Sequence, residues 1–352
     1  MINLYNSLIE SLSIHRVGNK SRNEDVFLSD KPHAFNDELA PLLKEFFLKP
    51  FREKEESYFK FDHTADLEFH TLYQLCKTVF QTPESLQEVS KKIALHLFDQ
   101  SQHPHIKSGE LYVAHFTGLM IDNQKVDGLG IFKSELKHEF LQFEERENNL
   151  NLMLQQGVNL SKLDKGCLVF NTEEEGGYKV LSVDSNRYDS KYWLENFLAV
   201  TALRDDNFMT KNYLKFCKNF AKDVVLPAED KKEEVMFMNK SVNYFAKNDA
   251  FEESNFINEV IDNPDLIPEF RNYKVDKGPK YSIEDLTEFN IANKAVSTAR
   301  KSMKGIINLD TNIQIKMDFV NSDSADKFVE KGWDEEKQMY YYLVYFNKEQ
   351  RS

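Results

Sequence analysis

The hydrophobic pattern of this chain changes along its length, and that change constrains the fold more than any single motif does. Between Glu110 and Val183 the apolar residues fall in short runs separated by turn residues, which is typical of neighbouring antiparallel strands. From about residue 189 to residue 261 they recur at helical spacing instead. The pattern indicates an α+β protein. We expect a mixed N-terminal region with a largely antiparallel sheet (1–186), a helical middle region (187–275) and a smaller α+β C-terminal region (276–352).

Individual elements can be placed from their periods and their boundary residues. Thr82 is a suitable N-cap and Pro83 fits the first helical position, so a helix is predicted to start there. The apolar spacing from Leu4 to Leu12 predicts a helical start that passes into a strand by Val17. Strands are predicted at Glu110–Phe116, Leu119–Ile121, Leu129–Phe132, Cys167–Phe170 and Tyr178–Val183.

The net charge limits the functions that are open to the chain. Its 352 residues include 45 Lys and Arg against 58 Asp and Glu, which gives a formal charge of −13. Nonspecific DNA binding draws most of its free energy from neutralised phosphates and released counterions. General coating of DNA is therefore not expected. A chain this acidic can bind DNA through a local basic patch or through a protein partner.

Cysteine use and the length of apolar runs bear on location. Cys76, Cys167 and Cys217 lie far apart and form no CxxC pair, so we expect three reduced, buried thiols in a cytoplasmic protein. No run approaches the roughly 18 consecutive apolar residues that span a bilayer, and the N-terminus lacks the pattern of a signal peptide. Glycine-rich phosphate loops are also absent. We therefore expect no cofactor and no membrane partner.

A cluster of histidines is the first candidate for metal chemistry. His96, His103, His105 and His115 are close in sequence. Pro104 interrupts any helical spacing between them, and no HExxH motif accompanies them. The alternative is a turn whose histidines cap carbonyl groups or face solvent. No metal ligand is assigned.

A nuclease centre is the second candidate. Glu110, Asp127 and Glu135, with Lys133, loosely resemble the carboxylates and lysine that some nucleases gather around Mg²⁺. The usual order places an acid two residues before the lysine, whereas Ile131 stands there and the acid follows the lysine. No catalytic residue is assigned, and the chain is not expected to be an enzyme. A metal-dependent nuclease stays open as an alternative.

Basic residues follow one face of the helix that is predicted from Thr210 to Val224. Four lysines fall within an arc of about 60° at about 100° per residue, with apolar residues on the neighbouring face. Four lysines on one face can neutralise several phosphates, although a solvated helix face is the simpler interpretation. A second basic group lies on the helix before Gly305. The candidate DNA-binding residues are Lys211, Lys215, Lys218 and Lys222 in the first group, and Lys294, Arg300, Lys301 and Lys304 in the second.

Several segments spread over nearly the whole chain carry a family resemblance. They are FFLKPF (46–51), SQHPHIKSGELYVAHF (101–116), GIFKSE (130–135), KGCLVF (165–170), NLD (308–310), IQI (313–315) and YYLVYFN (341–347). In this order they resemble the bacterial nucleoid-associated protein family, the thirty-seven-kilodalton nucleoid-associated proteins. The resemblance implies a cytoplasmic protein that fractionates with the nucleoid, is associated with DNA and has no established catalytic activity.

The leading hypothesis is a non-catalytic nucleoid-associated protein that binds DNA or a DNA-processing protein. The stripe from Lys211 to Lys222 is its expected electrostatic contact. The alternative is an adaptor whose acidic surface binds a basic protein without touching DNA. Homodimer formation is left open by the sequence.

Overall fold

The protein consists of two compact units, Met1–Leu203 and Arg204–Ser352. The computed structural model describes residues 2–52, 57–185, 191–302, 305–317, 329–346 and 348. Helices and strands occur in both units, and every strand pair within these ranges is antiparallel. The predicted α+β class is confirmed. The division into three regions at residues 186 and 275 stays a prediction.

An eight-stranded antiparallel sheet forms the centre of the first unit, and two further strands pair only with each other. The strands are β1 (Ile2–Asn3), β2 (Leu8–Val17), β3 (Phe59–Phe61), β4 (Gly109–Ile121), β5 (Gln124–Ser134), β6 (Lys137–Arg146), β7 (Asn149–Val158), β8 (Lys165–Phe170), β9 (Lys179–Asp184) and β10 (Val200–Ala202). The sheet order is β1–β4–β5–β8–β9–β3–β10, with β2 also paired to β4. Strands β6 and β7 form the separate two-stranded sheet.

Local backbone geometry keeps β4 in register with β5. Asp122 and Asn123 both have positive φ, 49° and 65°, as a two-residue type I′ hairpin turn requires. Within β4 the register shifts between Phe116 and Leu119, and Gly118 has a φ of 73°. Because this bulge adds a residue, Leu119 lies in the same core as Phe116 although the two are an odd number of residues apart.

Helices cover both faces of the sheet. On β4, Leu111 and Val113 contribute to one core, whereas Tyr112 and Ala114 contribute to the other, as the alternation of a strand requires. The helices of this unit are α1 (Leu39–Arg52), on the Tyr112 side, and α2 (Thr71–Gln81), α3 (Leu86–Gln100) and a π-helical segment (Tyr192–Phe197), on the Leu111 side.

The helical start predicted for the N-terminus is wrong. Residues Leu8 to Val17 form strand β2, which pairs antiparallel with β4 from Thr117 to Gly109. Leu4 and Leu12 are both buried in the core on the Tyr112 side. The four-residue apolar spacing matches a helix by period, but pairing with β4 satisfies the backbone groups in a strand instead.

The second unit is mainly helical and is held together by aromatic side chains. The ring of Tyr213 has Phe216, Phe245, Phe251 and other aromatic neighbours at centroid distances between 4.2 and 6.0 Å. Clusters of this kind add edge-to-face contacts to the apolar area that they bury. The helices are α4 (Asp206–Phe220), α5 (Leu226–Ala228), α6 (Lys231–Lys247), α7 (Glu253–Val260), α8 (Leu266–Tyr281) and α9 (Asn293–Ser302).

Short strand pairs accompany these helices. Strands β11 (Ala250–Glu252) and β12 (Glu288–Asn290) pair with each other, as do β13 (Gly305–Asn308) with β14 (Gln314–Met317), and β15 (Val329–Asp334) with β16 (Met339–Val344). In the described part of the chain, none of the helices combines the length and apolar character that a bilayer crossing requires.

Replacing Phe47 by Ala should destabilise the first unit. Its ring stacks on Phe132 of β5 at a centroid distance of 4.4 Å and is fully buried. The resulting cavity should lower the free energy of unfolding by about 3–5 kcal/mol. Urea unfolding followed by Trp193 fluorescence, with Trp333 replaced by Phe, measures it. The exposed Phe69 is the matched control, and Phe69→Ala should change the value by less than about 0.5 kcal/mol.

Candidate nucleic-acid interface

Helix α4 carries three lysines of the basic stripe predicted from the sequence, and the π-helical turn that follows it (Ala221–Val225) carries the fourth, Lys222. Helix α4 begins one turn earlier than Thr210, because the Asp205 carboxylate accepts the N–H of Phe208 at 2.8 Å and caps the first turn. The helix continues through a π-helical turn (Ala221–Val225) into α5. Leu214 and Cys217 are buried in the second unit's core. The predicted apolar side of the helix is thus confirmed, and the lysines lie beside it.

Three lysines of the stripe are exposed cations. Lys215, Lys218 and Lys222 are exposed, and none of them has a hydrogen bond or ion pair to a residue within the described ranges. Lys211 is half-buried and has a contact of its own. Other lysines differ: Lys179, for example, pairs with carboxylates at 2.8 and 3.0 Å. Ion pairs with the described residues therefore do not neutralise the positive charges of Lys215, Lys218 and Lys222.

The second basic group is split over helix α9. Lys294 and Lys301 are seven residues apart and share a face, whereas Arg300 lies about 100° away. Arg300 donates from Nη2 to Oδ1 of Asn243 on α6 at 3.3 Å. All three side chains are exposed. Lys304, the fourth residue predicted for this group, lies outside the described residues.

The two basic helices meet at one end. The N–H of Ala292, just before α9, donates to Oγ1 of Thr210 at 3.0 Å. Thr210 precedes Lys211, and Ala292 lies two residues before Lys294. The start of α9 is therefore placed beside the first lysine of the stripe.

Helix α8 brings two further lysines that sequence reasoning missed. The hydroxyl of Tyr281 accepts a hydrogen bond from Nδ2 of Asn219 at 2.5 Å, so the last turn of α8 lies beside the residue after Lys218. Lys277 and Lys280 are exposed on that turn. Lys277 pairs with the neighbouring Asp276 at 2.9 Å, and the ammonium of Lys280 lies 5.8 Å from the centroid of its neighbour's ring. The sequence feature that could have indicated these two lysines is a basic residue in the last turn of a helix.

One acidic residue lies within this surface. Asp223 follows Lys222 and is exposed. Its Oδ2 accepts a hydrogen bond from the hydroxyl of Tyr273 on α8 at 2.7 Å. The carboxylate is therefore held toward α8, and it limits the positive surface at the C-terminal end of the stripe.

The residues of the nuclease alternative do not gather into one site. Glu110 on β4 pairs in register with Ser134 on β5. Asp127 lies seven residues before Ser134 on the same strand, which separates it from Glu110 by about 23 Å at about 3.3 Å per residue. The geometry therefore does not bring the three carboxylates of Glu110, Asp127 and Glu135 around a single ion.

Lys133 and Glu135 belong to a buried ionic cluster instead. Lys133 Nζ donates to Glu135 Oε1 at 3.0 Å and to the carbonyl of Lys107 at 2.6 Å, and its side chain is fully buried. The Tyr192 hydroxyl donates to the same Glu135 oxygen at 3.2 Å. Burial lowers the pKa of Lys133, and the Glu135 carboxylate partly offsets that effect. Each group is occupied by its neighbours, which indicates a structural role.

The histidines of the metal alternative are also dispersed. His96 Nε2 lies 3.0 Å from the carbonyl of Phe197, and the exposed rings of His103 and His105 face each other at 5.1 Å. His115 is buried on β4, 3.8 Å from a carboxylate oxygen of Asp127. Over the ranges that the structure describes, no group of three or more His, Cys, Asp or Glu side chains could hold a metal ion.

A comparison with known protein families tests the family resemblance that the sequence segments suggested. A family model described as nucleoid-associated protein YejK matches residues 13–340. The chain belongs to this family. The match covers most of both units, so the resemblance predicted from the sequence is confirmed. No individual curated protein matches the chain.

Three buried histidines should make the first unit sensitive to acid. Burial lowers the pKa of His15, His70 and His115 below 6.5. The unfolded chain therefore binds these protons first, and stability is lost as the pH falls through 6.5 toward the folded-state pKa values. Urea midpoints between pH 7.5 and 5.5 should decline, and His115→Gln should decline less steeply.

The exposed His138 provides the control for that measurement. His138→Gln should follow the wild-type pH profile. Equal slopes for the wild type and His115→Gln would show that this buried imidazole does not contribute to the acid sensitivity.

Proposed function

We propose that this protein is a non-catalytic, cytoplasmic nucleoid-associated protein that contacts the phosphates of duplex DNA through helix α4 and the π-helical turn after it. The observation that carries the proposal is a set of three exposed lysines that form no ion pair with any residue the structure describes: Lys215, Lys218 and Lys222. The chain also belongs to a nucleoid-associated family, which makes DNA a reasonable ligand.

The dimensions of the stripe suit a short stretch of DNA backbone. Lys215 and Lys222 are seven residues apart, which corresponds to about 10 Å along a helix axis. One DNA strand advances about 3.4 Å per nucleotide along the duplex. The stripe can therefore follow about three phosphates. Phosphate contacts of this kind position a protein on DNA without reading its sequence.

The acidic remainder of the chain restricts this contact to the basic surface. With a formal charge of −13, the protein as a whole repels the duplex. Binding should therefore be weak in physiological salt and strengthen steeply as the salt concentration falls. Lys294 and Lys301 on α9 extend the surface from the end where Ala292 contacts Thr210.

Replacing Lys215, Lys218 and Lys222 together by Gln should weaken duplex binding without sequence dependence. Each neutralised phosphate contributes about 0.9 to the slope of log K against log salt concentration. The variant's slope should therefore be shallower by about 2–3. Fluorescence anisotropy of a labelled duplex between 20 and 200 mM salt measures it.

Three exposed lysines of the first unit provide a charge-matched control for this experiment. Replacing Lys92, Lys107 and Lys125 by Gln removes the same net charge. This control should keep the wild-type salt slope. If the triple variant at Lys215, Lys218 and Lys222 has the same salt slope as the control and the wild type, the stripe does not contact the DNA phosphates.

A cleft in the second unit favours a second candidate function, that of an adaptor for a basic protein. The cleft has a volume of about 320 Å³ and an apolar floor that includes Met236, Phe237 and Leu266. Its rim carries the carboxylates of Glu229, Glu233 and Asp262, of which Glu233 pairs with Lys232 and Asp262 with Lys240. An apolar floor inside an acidic rim suits a peptide that presents an aliphatic side chain next to arginine or lysine.

Charge reversal at the rim tests the adaptor function. Glu233→Lys should weaken binding of a labelled peptide rich in Arg and Leu at least tenfold, because it replaces attraction by repulsion at the cleft. Glu269→Lys makes the same charge change at an exposed position on α8 that does not line the cleft. Equal affinities for the two variants in a peptide titration would count against the cleft. A wild-type protein that binds the peptide but no duplex at 20 mM salt would favour the adaptor.

A further inference from the structure

A long connection between β2 and α1 runs back along one edge of β2. It comprises residues 18–38, and its only regular element is a short 3₁₀ turn (Lys20–Arg22). Connections of this length without secondary structure of their own are uncommon in compact domains and are often functional. Among the described strands, β2 pairs only with β4, so its other edge has no neighbour in the sheet. We call residues 25–33, which lie along that edge, the strap.

Backbone hydrogen bonds place the strap on the free edge of β2. Phe27 and Arg16 exchange two of them, at 2.8 and 2.9 Å. Farther along the strap, the N–H of His33 donates to the carbonyl of Leu12 at 2.7 Å. Unpaired groups at the edge of a sheet can pair with another chain, and a covering loop prevents that. The strap therefore protects the edge of β2.

Ser29 is the residue through which the strap is held most firmly. Its N–H donates to Nδ1 of His15 at 3.1 Å, and its Oγ donates to the carbonyl of Ile14 at 2.5 Å. Its own carbonyl accepts a hydrogen bond from Nε2 of Gln87 on α3 at 2.6 Å. All three polar groups of Ser29 are thus bonded, and one of these bonds depends on a group that can be protonated.

The hydrogen bonds of His15 determine which ring nitrogen carries the proton. A backbone N–H can only donate, so the Nδ1 that accepts from Ser29 is unprotonated. Nε2 therefore carries the proton and donates to Oγ of Ser90 on α3 at 2.8 Å. Ser90 in turn donates to the carbonyl of Gln87 at 2.7 Å. Because each donor in this chain is already committed, the network accepts the neutral imidazole only.

The surroundings of His15 do not compensate a positive charge. The nearby Lys91 on α3 repels an imidazolium, and it pairs with Glu88 at 3.0 Å. The residue opposite His15 on β4 is Leu111. Burial, and then Lys91, lower the pKa of His15 below 6.5. The charged or titratable residues of the strap are all exposed, and they are Asp25, Asp30, Lys31 and His33.

We propose that the strap is an acid-operated cover, which detaches from β2 when protonation of His15 sets a second N–H against the N–H of Ser29. Opening transfers the edge groups of Arg16 to water and exposes Val26 and Leu28, which pack against the core beneath α2 and α3. The closed strap is fully stabilised above pH 6.5, and that stabilisation is lost as the pH falls below it. This device goes beyond the DNA contact and does not rest on it.

Hydrogen exchange of the full chain, followed by mass spectrometry at pH 7.5 and 5.5, tests the cover. After correction for the intrinsic effect of pH, the strap should exchange up to about tenfold faster at pH 5.5. The reason is that an imidazole in water, with a pKa of 6.5, is about ten parts protonated to one part neutral there. Strand β8 should stay far more protected than the strap at both pH values, because opening is local.

Two single variants assign the response to His15. His15→Asn places an amide oxygen, which does not titrate, near the position of Nδ1 and should abolish the increase. His33→Asn removes the exposed imidazole of the strap and should keep the increase.

A reversible cross-link covers the case in which His15→Asn fails to fold. Arg16→Cys with Phe27→Cys introduces two thiols at an exposed cross-strand pair, whereas the native thiols are buried. The oxidised form should show no increase in strap exchange at pH 5.5, and reduction should restore it. Equal strap exchange at the two pH values, an increase that persists in His15→Asn or in the oxidised form, or a strap that exchanges only as fast as β8 would overturn the proposal.

Discussion

The burial of the first unit's sheet on both faces is the constraint on which that unit depends. Antiparallel sheets commonly leave one face in water, but here α1 covers one face and α2 with α3 covers the other. Charged side chains on the central strands must therefore be paired inside the protein. Lys133 pairs with Glu135, and Lys165 pairs with Asp184 through both carboxylate oxygens at 2.9 Å. Lys133 and Glu135, two of the residues that resembled a catalytic centre in the sequence, are thus explained by the packing of the sheet.

Much of the fold follows from local sequence, and the exceptions have a physical cause. The strand patterns around Val113 and Ile131 are explicit in the residues, whereas the tight turn at Asp122 and Asn123 is not. The spacing of Leu4 and Leu12 predicts a helix by period, yet pairing with β4 makes that segment a strand. The ribbon of β6 and β7 was not predicted, although Leu150, Leu152 and Leu154 alternate, because its apolar face has no core to join within the described chain.

The positions of the basic residues could be predicted from the sequence, but whether their charges are paired with carboxylates could not. Helical periodicity alone places Lys215, Lys218 and Lys222 on one face. Whether a lysine is free or paired depends on residues distant in sequence, and the approach of α8 and α9 to α4 depends on the aromatic core around Tyr213. For the same reason the sequence could not show that Arg300 reaches Asn243 on another helix.

Lysine reactivity in the presence of DNA tests the central claim most directly. The full-length protein is acetylated at low salt with and without a saturating short duplex, and each lysine is quantified by mass spectrometry. The account predicts that DNA protects Lys215, Lys218 and Lys222 while the exposed Lys92 and Lys107 of the first unit react unchanged. Unchanged acetylation of these three stripe lysines, with duplex binding demonstrated in the same sample, would contradict it.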